Sequence, residues 1–156
     1  RTGMERIALY FYCHGYFGNG DSTKTAIALE KDQHITLEDL QTTKYSEDSS
    51  PIYFKSNPLI FINACESGKI GGSFYSSLPG FFLNDKQAGC YVSPEIIMPD
   101  QFAAGFAFEF FRQFKSQKKL VRQVLFDLRR QCLLRNNPLG LFYDLYSNTT
   151  YSFCIG

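Results

Sequence analysis

The chain has 156 residues, 44% hydrophobic and 20% charged, with 16 Phe, 10 Tyr and no Trp. That length suits one domain with a substantial core. The formal net charge of +1 gives no one-signed field to hold nucleic acid or an acidic membrane surface. No apolar run reaches the roughly 18 residues that a bilayer-spanning helix requires.

The chain opens on Arg1-Thr2-Gly3 instead of Met and carries no leader-like segment, so it is expected to be a piece of something longer. Glu5 to Cys13 reads as a buried strand. It stops at His14-Gly15, and Tyr16 to Ser22 reads as a glycine-rich loop. Thr25 to Leu29 and His34 to Leu37 alternate around a polar turn, which is a hairpin signal. Leu37 to Leu40 begins a short helix, and Thr43 to Ser56 is a polar surface loop.

Leu59 to Ala64 is a second buried strand. It runs straight into Cys65-Glu66-Ser67-Gly68 and a loop through Gly71-Gly72. A helix is expected over Leu78 to Lys86, with Pro79 in its first turn, and a third strand over Ala88 to Ile97. Asp100 opens a long helix in which Phe102, Phe106, Phe110 and Phe114 recur every four residues as a core-facing stripe. The helix of Lys119 to Leu134 sets Val121, Val124, Leu125 and Leu128 against Arg122, Arg129 and Arg130, which read as a solvated face. Asn136-Asn137-Pro138 ends it. Tyr143 to Tyr146 and Tyr151 to Ile155 close the chain as strand and turn. Buried runs alternating with helices imply an α/β fold with a mostly parallel sheet.

Cys13, Cys65, Cys90, Cys132 and Cys154 are odd in number and irregularly spaced, with no C-x-x-C pair. A disulfide framework, zinc site or redox pair is therefore disfavoured, and reduced thiols in the cytoplasm are expected. Neither a metal nor a cofactor is expected.

In open α/β sheets, function collects where strands end at their carboxyl side. The first strand ends on His14 and the second on Cys65. A free thiol is only a few per cent thiolate at neutral pH. An imidazole within hydrogen-bond reach takes its proton, favours the thiolate as imidazolium, and can later protonate a leaving amine. The N–H groups of Gly15 and Cys65 are candidate oxyanion donors. Cys13 precedes His14 by one residue and so points to the other face. Cys90, Cys132 and Cys154 read as core, and His34 as structural.

Phe11-Tyr12-Cys13-His14-Gly15 and Phe61-Ile62-Asn63-Ala64-Cys65-Glu66-Ser67-Gly68 resemble the two signature segments of caspase-like peptidases, in which the His lies about 50 residues upstream of the Cys. Asn63 stands where caspases have Gln, and Ser67 is an extra residue before the glycine. Ala64 to Gly68 looks closer to the CHAT branch, peptidases similar to both caspases and separase. Ala88 to Val92, Met98 to Ala103 and Asn137 to Tyr146 are similar to later CHAT segments, so the resemblance runs from about Ile7 onward as one catalytic domain.

The resemblance implies a three-layer α/β/α fold, with front strands missing from this chain. It also implies a protein substrate and an upstream regulatory region or activator; several relatives take part in bacterial defence and cell death. By the same resemblance Asn63 lines the substrate pocket, with Glu66 and Glu95 as further lining candidates. A neutral Asn63 leans toward an uncharged substrate residue before the scissile bond, while Glu95 and Asp100 leave a basic one open. Two rival readings are a caspase-like module that binds without turnover and a thiol redox sensor pairing Cys65 with Cys13 or Cys90.

Overall fold

The computed structural model describes residues 8–18, 21–30, 33–45, 47, 49–64, 77–116 and 119–147. Its centre is a four-stranded sheet of β1 (Ala8–Tyr12), β5 (Leu59–Asn63), β6 (Cys90–Pro94) and β7 (Tyr143–Ser147), in the order β1-β5-β6-β7. β1, β5 and β6 run parallel, and β7 is antiparallel to β6. A second, antiparallel sheet holds β2 (Gly15–Gly18), β3 (Asp21–Glu30) and β4 (Gln33–Thr36). The chain is thus α/β with a mostly parallel main sheet, as its alternating pattern implies.

β5 and β6 are buried at every residue, the mark of strands covered on both faces. One face packs on α3 (Asp100–Ser116) and α4 (Val121–Leu134): Leu59, Phe61, Val92 and Tyr143 meet Phe106, Phe110, Val124 and Leu125. The other face carries Ile60, Ile62, Ala64 and Tyr91. It packs on Leu37 of α1 (Leu37–Thr42), Leu78 of the short turn α2 (Leu78–Gly80), Phe81 and Phe82 of a π-helical turn (Phe81–Asp85), and Ile27 of β3. At roughly 1.5–3 kcal/mol for each large apolar side chain removed from water, these two layers supply most of the drive to fold.

The caps follow from local chemistry. Thr36 accepts from the Asp39 amide at 3.0 Å while Asp39 accepts from the Thr36 amide at 2.8 Å, a reciprocal box at the start of α1. Ser77 accepts from the Gly80 amide at 3.2 Å, with Pro79 at the permitted first-turn position. Gln123 folds back to accept from the Leu120 amide at 3.1 Å ahead of α4.

Four local expectations change. β1 is not buried but alternates, with Leu9 and Phe11 inward and Tyr10 and Tyr12 outward. It is an edge strand, and tyrosine's amphipathic ring masks the alternation. The expected loop from Tyr16 is instead β2, paired with β3 in the register Gly15↔Ile27 and Tyr16↔Ala26; backbone pairing overrides the glycine signal. The single helix expected over Leu78 to Lys86 is the short turn α2 continued as a π-helical turn. Arg129 is not simply solvated: it donates to the Tyr143 carbonyl and reaches Asp144, anchoring α4 to β7. It follows Leu128 on the border of the buried stripe, whereas Arg122 and Arg130 are exposed. The closing segment Tyr151 to Ile155, with Cys154, lies outside the described residues.

Candidate functional site

Parallel pairing determines which residues can meet. Because β1, β5 and β6 run the same way, their carboxyl ends emerge at one edge of the sheet. β1 and β5 are in register up to the rung Tyr12↔Asn63. His14 and Cys65 each follow that rung by two residues. Cys65 and Glu66 lie outside the described residues. His14 is exposed, and its carbonyl accepts from the Ala28 amide of β3 at 2.8 Å. Gly15 begins β2 directly after it. The small antiparallel sheet therefore ties down the backbone on which His14 sits, while the imidazole remains open to solvent.

Asn63, expected beside the substrate pocket, is 4% exposed, and its amide is engaged on both sides. Its Nδ2 donates to the Ala103 carbonyl of α3 at 2.8 Å and approaches the Tyr10 hydroxyl at 3.4 Å. Its Oδ1 accepts from the Tyr143 hydroxyl at 2.6 Å. A single amide thus pins the end of β5 to β1, α3 and β7. Buried polar groups cost free energy unless paired, and here three elements supply the partners.

Glu95 directly follows β6, at the same edge. Its amide donates to the Phe142 carbonyl at 2.9 Å. A hydrogen bond with Asp144 raises its carboxyl above the ordinary carboxylate range, and burial and the Asp144 charge push the same way. Tyr146 places its hydroxyl 3.3 Å from Glu95 and 3.4 Å from Asp144. Burial and then those two charges raise the phenol in turn. Asp144 and Tyr146 did not stand out in the sequence. The signal was there in Tyr143-Asp144-Leu145-Tyr146: strand alternation sets residues 144 and 146 on one face. Asp100 is exposed at the start of α3.

The remaining thiols are sorted by burial. Cys90 is 1% exposed in the first core layer, and burial pushes its thiol up to about 12, so it is inert near neutrality. Cys132 is half-buried and also raised by burial. Cys13 is half-buried against the second layer, on the opposite side of β1 from Tyr12. His34 is exposed on β4. Among the described residues, no helix is long and apolar enough to cross a membrane.

No protein-family model matches the chain, and no curated protein matches it.

Proposed function

We propose that the chain is the catalytic part of a caspase-like cysteine endopeptidase of the CHAT type, with Cys65 as nucleophile and His14 as base. The observation that carries this reading is the in-register pairing of β1 with β5, whose last rung, Tyr12↔Asn63, stands two residues before each member of the dyad. Adjacent parallel strands lie about 4.8 Å apart. Residues that follow two neighbouring strand ends at the same level are close enough in the fold to share a proton. The α/β architecture is compatible with the three-layer fold of that family.

In this mechanism His14 takes the proton from the Cys65 thiol, and the sulfur attacks the carbonyl carbon of the scissile peptide. The N–H groups of Gly15 and Cys65 stabilise the resulting oxyanion. As the C–N bond breaks, His14 passes its proton to the departing amine, leaving a thioester. Water, deprotonated by His14, then attacks the thioester and releases the acid and the free thiol. His14 suits this exchange because it is solvent-accessible and its backbone is held by β3. An upstream sensor region or activator protein switches the domain on, as the resemblance implies.

The test compares full-length wild type with Cys65→Ala, His14→Ala and Cys90→Ala on a protein substrate. Cys65→Ala and His14→Ala are expected to abolish cleavage, whereas Cys90→Ala retains it. Cleavage by Cys65→Ala would overturn the mechanism.

A second reading, a caspase-like module that binds without turnover, draws on an apolar groove between β1 and α3. Tyr10, Tyr12, Phe108 and Phe111 line it, and Phe108 is 72% exposed. In that case Phe108→Asp would abolish partner binding, and Cys65→Ala would leave every measured property unchanged.

A further inference from the structure

Beyond Pro94 the main sheet carries a group of side chains that the peptidase mechanism does not use. Ser93 pairs directly across from Asp144 in the antiparallel β6–β7 ladder, and Tyr91 across from Tyr146. Directly opposed residues share a face, as do residues two apart on one strand. Ser93, Glu95, Asp144 and Tyr146 therefore stand together on one face at the carboxyl end of β6.

The contacts within the group are long, and its buried donors at Ser93 Oγ and Arg129 Nε have no partner. Two carboxylates close enough to hydrogen-bond share one phenolic proton, offered at 3.3 and 3.4 Å. Of the two carboxylates the Arg129 guanidinium touches Asp144, at 3.3 Å, and its charge only partly offsets the rise at Glu95. All three distances are long for charge-assisted bonds, which settle near 2.7–2.9 Å. The Ser93 hydroxyl is fully buried and has no hydrogen-bond partner. An unpaired buried hydroxyl beside two carboxylates that repel one another is a costly arrangement for a site that stays empty. A cation entering between the carboxylates relieves the repulsion and brings donors that can approach them more closely. Among the described residues no set of three His, Cys, Asp or Glu side chains is gathered as a metal site. A hard metal ion would require more oxygen ligands than two carboxylates supply. An organic cation with several N–H groups fits better.

We propose that Glu95 and Asp144, with the hydroxyls of Tyr146 and Ser93, form the seat for a lysine or arginine side chain of the protein substrate, at the residue whose carbonyl is attacked. This rests on the peptidase reading. Glu95 follows β6, the strand next to the β5 end that leads to Cys65, and Asp144 lies one strand further. Strand spacings of about 4.8 Å put the two carboxylates one and two strands from the nucleophile's strand, a span that a long basic side chain covers. The amide of Asn63 is already committed to Ala103 and Tyr143, which leaves the choice of substrate residue to this acidic pair.

Two measurements on the full-length protein test the seat. The first is an NMR or calorimetric titration of Cys65→Ala with N-acetylarginine amide, and with N-acetylcitrulline amide as the uncharged isostere. The arginine compound should bind and the citrulline compound should not. Glu95→Gln and Asp144→Asn, which keep side-chain shape, should each weaken binding by on the order of tenfold. The second is cleavage-site mapping on a peptide library. Sites should follow Lys or Arg, and Glu95→Gln should lower kcat/KM at those sites by a similar factor. Cleavage after uncharged residues, or equal binding of the two amides, overturns the seat while leaving the peptidase reading intact. Arginine binding that is lost in Glu95→Gln, in a protein that cleaves nothing, supports a cation seat and overturns the peptidase.

Discussion

Asn63 illustrates how much one residue can decide. Its position two before Cys65 suggests a pocket lining, yet its amide closes a network among β5, α3, β1 and β7. Asn63→Ala would leave the Tyr143 hydroxyl and the Ala103 carbonyl buried without that partner, at a cost of about 1–3 kcal/mol. Tyr143→Phe would remove only the hydroxyl and should cost less. A double-mutant cycle by urea unfolding should return a coupling of the order of 1 kcal/mol, because the two side chains share one hydrogen bond. Additive effects would show that the 2.6 Å contact contributes nothing to stability. The reactive-thiol question also belongs to this scale. At neutral pH, burial should keep Cys90 unlabelled by iodoacetamide in the folded protein, a result readable by peptide mass mapping.

At the scale of elements, α3 carries both the apolar stripe and its own electrostatic clasp. Phe106 and Phe110 are buried, Phe102 and Phe114 flank them half-buried, and Phe106 stacks on Tyr143 with ring centroids 4.1 Å apart. On the helix's polar side Glu109 accepts from Arg112 Nε at 2.8 Å and from Gln113 at 2.8 Å. The Arg112 hydrogen bond holds the Glu109 carboxyl down to about 2, against a partial offset from burial. A carboxylate whose folded value is depressed stabilises the protein above its unfolded value, about 4.3, and loses that contribution as pH falls toward 2. Glu109→Gln should therefore lower stability modestly at pH 6 and by less at pH 2.5, where part of the contribution has been lost, measured by urea unfolding at both. Salt should shrink the difference, because Arg112 is solvent-exposed. The junction after α4 is packed tightly as well. A Cβ added at Gly140 would come within 2.9 Å of both Cβ and Sγ of Cys132, so glycine alone fits beneath that turn.

At the scale of the molecule, two apolar layers share one sheet, and the strands differ in how fully they are covered. β5 and β6 are buried throughout, whereas β1 shows every second residue to solvent and β4 is exposed at its first two. Hydrogen exchange read by mass spectrometry should find β5 and β6 amides opening only with global unfolding, and β1 and β4 amides exchanging earlier by local opening. Equal protection of all four strands would contradict this ranking. The same topology joins the candidate site to the core: the two most deeply packed strands lead to Cys65 and to Glu95, and the half-covered β1 beside β5 leads to His14.

Much of this was legible in the residues. Continuous apolar runs mark β5 and β6, the four-residue phenylalanine repeat marks α3, and Leu37 to Leu40 marks the start of α1, because each is a local pattern with a local cause. The strand ends at Tyr12 and Asn63, which precede His14 and Cys65 in the chain, are legible for the same reason. What tertiary structure decided depends on partners distant in the chain. Whether β1 has one covered face or two, whether Tyr16 pairs or loops, and where the Asn63 amide points are settled by elements that sequence spacing does not bring together. The grouping of Ser93 and Glu95 with Asp144 and Tyr146 exists only because β7 returns antiparallel beside β6, so that Asp144 faces Ser93 across a rung of the ladder and comes close to Glu95, about fifty residues away in the chain.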